Sequence, residues 1–241
     1  MENKLKNPPI IEAIVDFIFE NNFDPKSYTL MCNYLKPLSE RSERIQNYQI
    51  QVGAEENSVP QVKKAEGQGQ RYFFESGKYV ITIKDNGITF GRLKPYSSFV
   101  DFRNWIESNL RKLPLPSELK VLRVGVRYIN SFSVPSSSSY ARDYLFNIPP
   151  SPPGLDEFPI DFVSRISVPI PDLAAMSILT QTWNPASNPK ESSVTIDIDV
   201  FRLFEKSQPI SDTWDTILGL KAKLNSIFFR TVTKRTLDTF L

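Results

Sequence analysis

The stretch Lys120 to Val134, KVLRVGVRYINSFSV, constrains the fold more than any other part of the chain. Val124, Val126, Tyr128, Phe132 and Val134 recur on alternate positions, with Asn130 among them. Arg123, Gly125, Arg127, Ser131 and Ser133 occupy the positions between, interrupted by Ile129. A period of two over this length is unworkable for a helix and predicts a strand with one buried and one polar face. The N-terminal run IIEAIVDFIFE echoes it: Ile11, Ala13, Val15, Phe17 and Phe19 make an apolar row, and Glu12, Asp16 and Glu20 punctuate the other.

Between these two runs and after them, the chain reads as alternating strands with helices at fixed places. A turn at Asp24-Pro25-Lys26-Ser27 precedes a helix over Tyr28 to Lys36, with Ser27 as its cap. Strands are predicted over 45–52, 72–75, 79–84 and 88–93, with Asn86-Gly87 as a hairpin turn and 54–70 as a polar loop. Ser97 or Ser98 caps a helix carrying Phe99, Phe102, Ile106 and Leu110. After the lead strand come a short helix over 140–146, a proline-rich connection at 149–159, and strands over 162–168, 174–183 and 194–204. A helix over 213–231, capped by Ser211 or Asp212, and a short terminal helix or tail over 233–241 close the chain. Each half, 1–113 and 114–241, therefore runs strand, helix, strands, helix. The fold class expected is α+β: two similar halves forming one large curved antiparallel sheet with helices on one face. Saddle-shaped folds such as the TATA-box-binding protein, and helix-grip folds, share this order of elements, an analogy of topology that carries no function.

Composition excludes much chemistry. The 241 residues contain no histidine and one cysteine, Cys32. Ser-His-Asp and Cys-His catalysis, histidine- or thiolate-ligated zinc and an intrachain disulfide are thereby removed. Neither a phosphate-binding G-x-x-x-x-G-K-[ST] loop, nor G-x-G-x-x-G, nor C-x-x-C occurs, so no cofactor is expected. A net charge of +2 is too balanced for a general polyanion sink. The polar start MENKLKN and the lack of any long apolar run point to a cytoplasmic protein without a membrane span.

Three constellations remain. Antiparallel pairing of the lead strands around Ile14 and Gly125 sets Glu12 against Arg127 and Asp16 against Arg123, as glue worth about 0.2–1 kcal/mol per pair. Anion binding is the other use for Arg123 and Arg127. Asp197 and Asp199, in VTIDIDV, project from one strand face about 7 Å apart. They serve as a solvated face, as partners for Arg123 and Arg127, or as Mg²⁺ ligands. Lys221, Lys223, Arg230, Lys234 and Arg235 lie toward the C-terminus, where basic residues complement a helix dipole or contact phosphate. Tyr72, Phe73 and Phe74 supply core aromatics or a base-stacking platform.

The segments NPPIIEAIVDFIF, VLRVGVRYIN and SIFFRTVTKRTLDTF resemble a sporadically distributed family of uncharacterised prokaryotic proteins of about 250 residues. The resemblance covers the start, middle and end of the chain and includes no catalytic signature. It implies a place in mobile-element or defence-related gene clusters. The residues themselves favour a non-enzymatic binding or regulatory protein with a protein partner, since its proline-rich and polar loops accompany no catalytic set. The alternatives are nucleic-acid binding through an exposed sheet face, and a metal-dependent phosphoryl-transfer or hydrolytic enzyme on Asp197 and Asp199. The candidate binding residues are Arg123, Arg127, Asp197, Asp199, Arg230, Lys234 and Arg235; the oligomeric state is left open.

Overall fold

Period two becomes strand wherever it was strongest. The computed structural model describes residues 5–51, 61–135, 141–151, 153–154, 160–186, 188 and 191–241. In chain order the elements are β1 (Ile10–Phe19), α1 (Pro25–Leu35), β2 (Arg41–Gln51), β3 (Gln61–Phe74), β4 (Tyr79–Lys84), β5 (Gly87–Leu93) and α2 (Phe99–Lys112). Then follow β6 (Val121–Pro135), β7 (Phe162–Ile170), β8 (Ala175–Pro185), β9 (Glu191–Gln208), α3 (Trp214–Thr231) and α4 (Lys234–Asp238). The strands form one nine-stranded sheet in the order β2-β3-β4-β5-β1-β6-β9-β8-β7. Every neighbouring pair is antiparallel, as the short connections favour for the consecutive strands. The fold is α+β with a large curved antiparallel sheet, as expected from the order of elements.

The first and sixth strands sit side by side at the middle. Val15 lies opposite Val126, Phe17 opposite Val124 and Ala13 opposite Tyr128. On the next rung outward, Val126 meets Val200 and Tyr128 meets Ile198; on the other flank Val15 meets Phe90. Val15, Phe17, Val124, Val126, Ile198, Val200 and Phe90 are fully buried. The helices supply the opposing layer through Met31 and Leu35, Phe102 and Ile106, and Ile217, Leu220 and Leu224. Burying side chains of this size stabilises by about 1.5–3 kcal/mol each, so this layer dominates folding. Trp105 fills the gap under β4 and β5, stacked on Tyr79 at 4.4 Å between ring centres. The polar exception in the buried row of β6, Asn130, satisfies itself by donating to the Ile196 carbonyl at 3.1 Å.

Several local expectations change. The Gln61–Gln70 part of the polar stretch is strand, paired with β2 and, from Gly69, with β4. A long hairpin ladder overrides weak local propensity there; residues 52–60 lie outside the described residues. Helix α1 starts at Pro25 and its cap is Asp24, which accepts from the Lys26 and Ser27 amides at 3.0 Å, in place of Ser27. Proline at the first helical position costs no hydrogen bond, so the helix begins a turn early. Hydrogen bonds from Ser27 hold the Asp24 carboxyl below its usual range. Neither Ser211 nor Asp212 caps α3; a 3₁₀ turn, Ile210–Thr213, leads into it, and the Ser211 hydroxyl donates to Asp212 instead. Of the short helix expected at 140–146, only a 3₁₀ turn at Ala141–Asp143 forms among the described residues. Ser98 caps α2 as expected, accepting from the Asp101 amide at 3.1 Å, with Arg111 and Lys112 at the negative end of the helix dipole.

Gly87 marks the tightest crossing of the sheet. A Cβ there would lie 2.8 Å from the Phe17 carbonyl oxygen and 2.8 Å from Ile18 Cδ1. Since the first of these is backbone, nothing can yield cheaply. Gly87→Ala is expected to destabilise by about 1–3 kcal/mol, read as a melting temperature lower by about 2–4 °C per kcal/mol. By contrast, Gly219 lies inside α3, and its added Cβ would meet only Leu173 Cδ2 at 3.5 Å. Gly219→Ala should raise stability by about 0.5–1 kcal/mol through helix propensity. Thermal melts of both variants check the pair.

Candidate functional site on the open sheet face

Residues that alternate with the core on β1, β6 and β9 point to the face that no helix covers among the described residues. Glu12 and Asp16, Arg123 and Arg127, and Asp197 and Asp199 all fall there, three adjacent strands each contributing a pair. The face is half-buried: side-chain exposure is 14% for Asp16, 24% for Arg123 and 43% for Arg127.

The lead strands do pair antiparallel, with the register two residues away from the one expected. Asp16 lies opposite Gly125, Ile14 opposite Arg127 and Glu12 opposite Ile129. A shift of two preserves which residues face the core, so the buried rows tolerate either register. The ion pairs are consequently diagonal. Arg123 leans along its own strand, over Gly125, and places Nη1 2.8 Å from Asp16 Oδ2 and Nη2 3.5 Å from Asp199 Oδ2. A Cβ at Gly125 would stand 3.4 Å from Arg123 Nη2, so glycine makes room for the guanidinium to lie flat. Arg127 leans the same way. Its direct neighbour across the ladder is Asp199, yet it takes Asp197 in a two-pronged bond through Nε, at 2.7 Å, and Nη2. Planar guanidinium and planar carboxylate suit each other in this fork. Asp16 is further held by Lys84 at 3.0 Å and by the Thr89 hydroxyl. The expected Asp16–Arg123 contact therefore exists on a diagonal, and Glu12 does not take Arg127.

Glu12 is the member of the group without an ion pair within bonding distance among the described residues. It lies over Gly91, where an added Cβ would meet Glu12 Oε1 at 3.5 Å. Burial raises its pKa above the ordinary 4.5, against the pull of Arg71 and Arg127. Asp199 is likewise raised by burial in spite of Arg123 and Arg127. The Arg127 guanidinium is raised as well, by its hydrogen bonds to Asp197, which hold it charged. Acids Glu12, Asp16, Asp197 and Asp199 are thus matched by Lys84, Arg71, Arg123 and Arg127 on one surface. Sequence reading missed Lys84, Thr89 and Arg71. The first two stand either side of the hairpin turn, which is Asp85-Asn86 and not the expected Asn86-Gly87, since Gly87 already pairs with Lys84 as the first residue of β5.

The other expectations separate from this site. No group of three or more metal-ligating side chains occurs among the described residues, and Asp197 and Asp199 are each engaged by arginine. The C-terminal cations disperse: Lys223 pairs with Asp172 at 3.6 Å, and Arg235 pairs with Asp143 at 3.2 Å while covering the Tyr144 ring. Arg230 and Lys234 are exposed. Tyr72 and Phe73 are buried, the latter beneath Arg41 at 3.8 Å, which rules them out as a stacking platform. No helix among the described residues is long and apolar enough to cross a membrane. Compared with family models, with curated proteins and with solved structures, the chain finds no match.

Asp16 and Glu12 should respond oppositely to neutralisation. Asp16→Asn removes the charge shared by Arg123 and Lys84 and turns one of the two acceptor oxygens into a donor, and is expected to cost about 1–3 kcal/mol at pH 7. Glu12 has a folded-state pKa above its unfolded value, so its charged form costs stability above that raised pKa. The cost fades as pH falls and is gone below 4.5. Glu12→Gln should therefore raise the melting temperature at pH 7 and flatten its dependence on pH above 4.5. Melts of both variants from pH 4 to 8 provide the check; a Glu12→Gln protein less stable than the parent at pH 7 contradicts the assignment.

Proposed function

We propose that this chain is a cytoplasmic, non-enzymatic binding protein that takes a protein partner on the open face of its sheet. One observation carries the reading: charged side chains on three central strands, Glu12 excepted, are paired with one another and held in fixed geometry where no helix covers them among the described residues. A face of this kind offers preformed, oriented hydrogen-bonding groups, and its exposed border is apolar. Leu203 and Val163 are 61% and 70% exposed, and Met176 is 36% exposed. Apolar anchors around a fixed polar centre suit recognition of another folded surface. Arg123 and Arg127 are already committed to carboxylates, which lowers what they offer to phosphate and places nucleic-acid binding second. Engagement of Asp197 and Asp199 by the same arginines places metal-dependent catalysis third.

We further read the chain as two copies of one strand–helix–strands–helix motif meeting at β1 and β6. Outward from that pair the strands run β5, β4, β3, β2 on one side and β9, β8, β7 on the other. The three inner strands of each side support the reading, with β2 unmatched and a 3₁₀ turn, Ala141–Asp143, standing where the first half has α1. The resemblance to the sporadically distributed family suggests that the partner is encoded beside the chain in a mobile-element or defence-related cluster.

Affinity purification from the native host, run on three versions of the protein, tests this. The parent should retain a specific protein that Leu203→Lys loses. Val100→Lys, on the outer side of α2 at 66% exposure, should keep it. Recovery of nucleic acid with steep salt sensitivity, or equal retention by Leu203→Lys, would reject the proposal.

A further inference from the structure

The two edges of the sheet are built from opposite materials. The β2 edge begins with Arg41, Ser42, Glu43 and Arg44, all exposed, and Arg41 and Glu43 form an ion pair at 3.2 Å. Charge of this kind discourages another strand from adding on. At the other edge, β7 reads FVSRISVPI and carries a single charge, Arg165. Its only strand neighbour is β8, AMSILTQTWNP, which carries none. Val163, Ile166 and Val168 on β7 are 70%, 43% and 47% exposed. Among the described residues, nothing pairs with the outer side of this strand. Its one guard is Pro169, which has no N–H to donate and stands near the C-terminal end of the strand, leaving an apolar, nearly uncharged edge around Ile166 of the kind that accepts another strand.

We propose that the occupant is β7 of a second copy of this chain, paired antiparallel about a two-fold axis at Ile166. The strand is complementary to itself in that register. Ile166 meets its own copy, Ser164 meets Val168, and Phe162 meets Ile170 on the helix-covered side. Val163 meets Pro169 and Arg165 meets Ser167 on the open side, so no like charges stand directly opposite. The helix side of each sheet continues into the helix side of the other and each open face into an open one, giving one sheet through two subunits. A two-fold contact of this kind is closed. The edges left outside are the two β2 strands, whose charges stop further addition, so assembly ends at the dimer. This interface shares Val163 with the border of the open face but does not depend on the partner proposed for it.

Sedimentation velocity on the full chain at micromolar concentration reads the outcome directly. The parent should sediment as a dimer, and Val168→Lys should weaken association by about tenfold or more, since two like charges enter the joint. Val168 lies on the helix-covered side, so this variant leaves the open face untouched; its melt and circular dichroism confirm folding. A second measurement is independent of any loss of fold. In a Cys32→Ser background, Ile166→Cys should cross-link to its own copy under mild oxidation, and Ser164→Cys should not. A parent monomeric across the range, a dimer indifferent to Val168→Lys, or equal cross-linking from both cysteine positions overturns the proposal.

Discussion

The antiparallel pairing of β1 with β6 is the interaction on which the rest of the structure depends. It joins the N-terminal strand to one that begins more than a hundred residues later, and every other strand is added outward from it. On one side the pair presents Val15 against Val126 and Phe17 against Val124, the fully buried floor on which the helices rest. On the other it presents Asp16 and, leaning over Gly125, Arg123. A single ladder therefore specifies both the core and the charged face. The long loop that closes it is entropically expensive to form, so the contacts that hold it must be numerous and mostly apolar.

The charged face is a consequence of what the covered face excludes. Once valines and phenylalanines of β1, β6 and β9 are turned to the helices, their alternate neighbours are obliged to share the opposite side. Arginines on the middle strand, with acids on the strands to either side, neutralise one another at short range. Partial burial lowers the local dielectric, which strengthens these pairs and penalises any carboxylate that lacks one. That is the physical difference between Asp16, which has three donors, and Glu12, which has none in bonding distance among the described residues and is pushed toward its neutral form. A half-buried surface with its charges already paired recognises by shape and by fixed hydrogen-bonding groups more than by long-range attraction.

Strand identity was legible in the sequence because alternation is a direct imprint of a sheet with one buried face. Lys120 to Val134 and Ile10 to Glu20 came out within a residue or two of β6 and β1. Register was not legible for the same reason. Moving the two strands past each other by two residues leaves every valine facing the helices, so the apolar pattern is indifferent between the two alignments. What decides is volume on the open face. A guanidinium needs space to lie across the ladder, and Gly125, opposite Asp16, supplies it. The residues of the charged group were largely legible, since Arg123, Arg127, Asp197 and Asp199 stood out by alternation alone. Their pairing was hidden, because long side chains choose diagonal partners that simple cross-strand matching ignores.

The stretch 61–70 shows where local reading fails and why. QVKKAEGQGQ has glycine, charge and little β preference, yet it lengthens β3 along β2. Gly69 pairs with Ile45 on one side and Lys84 on the other, and an added Cβ there would meet the Ile83 carbonyl oxygen at 3.3 Å. The glycine that looked like a loop signal is a point of close approach between backbones. Within a sheet, a glycine and a loop leave the same mark in the sequence, and the strands on either side decide which it is. Gly87, Gly91 and Gly125 follow the same rule, each lying beneath a side chain that crosses it: Ile18, Glu12 and Arg123. Glycines placed between alternating apolar residues in this chain thus locate the open face, and the side chains laid over them are the ones that build its surface.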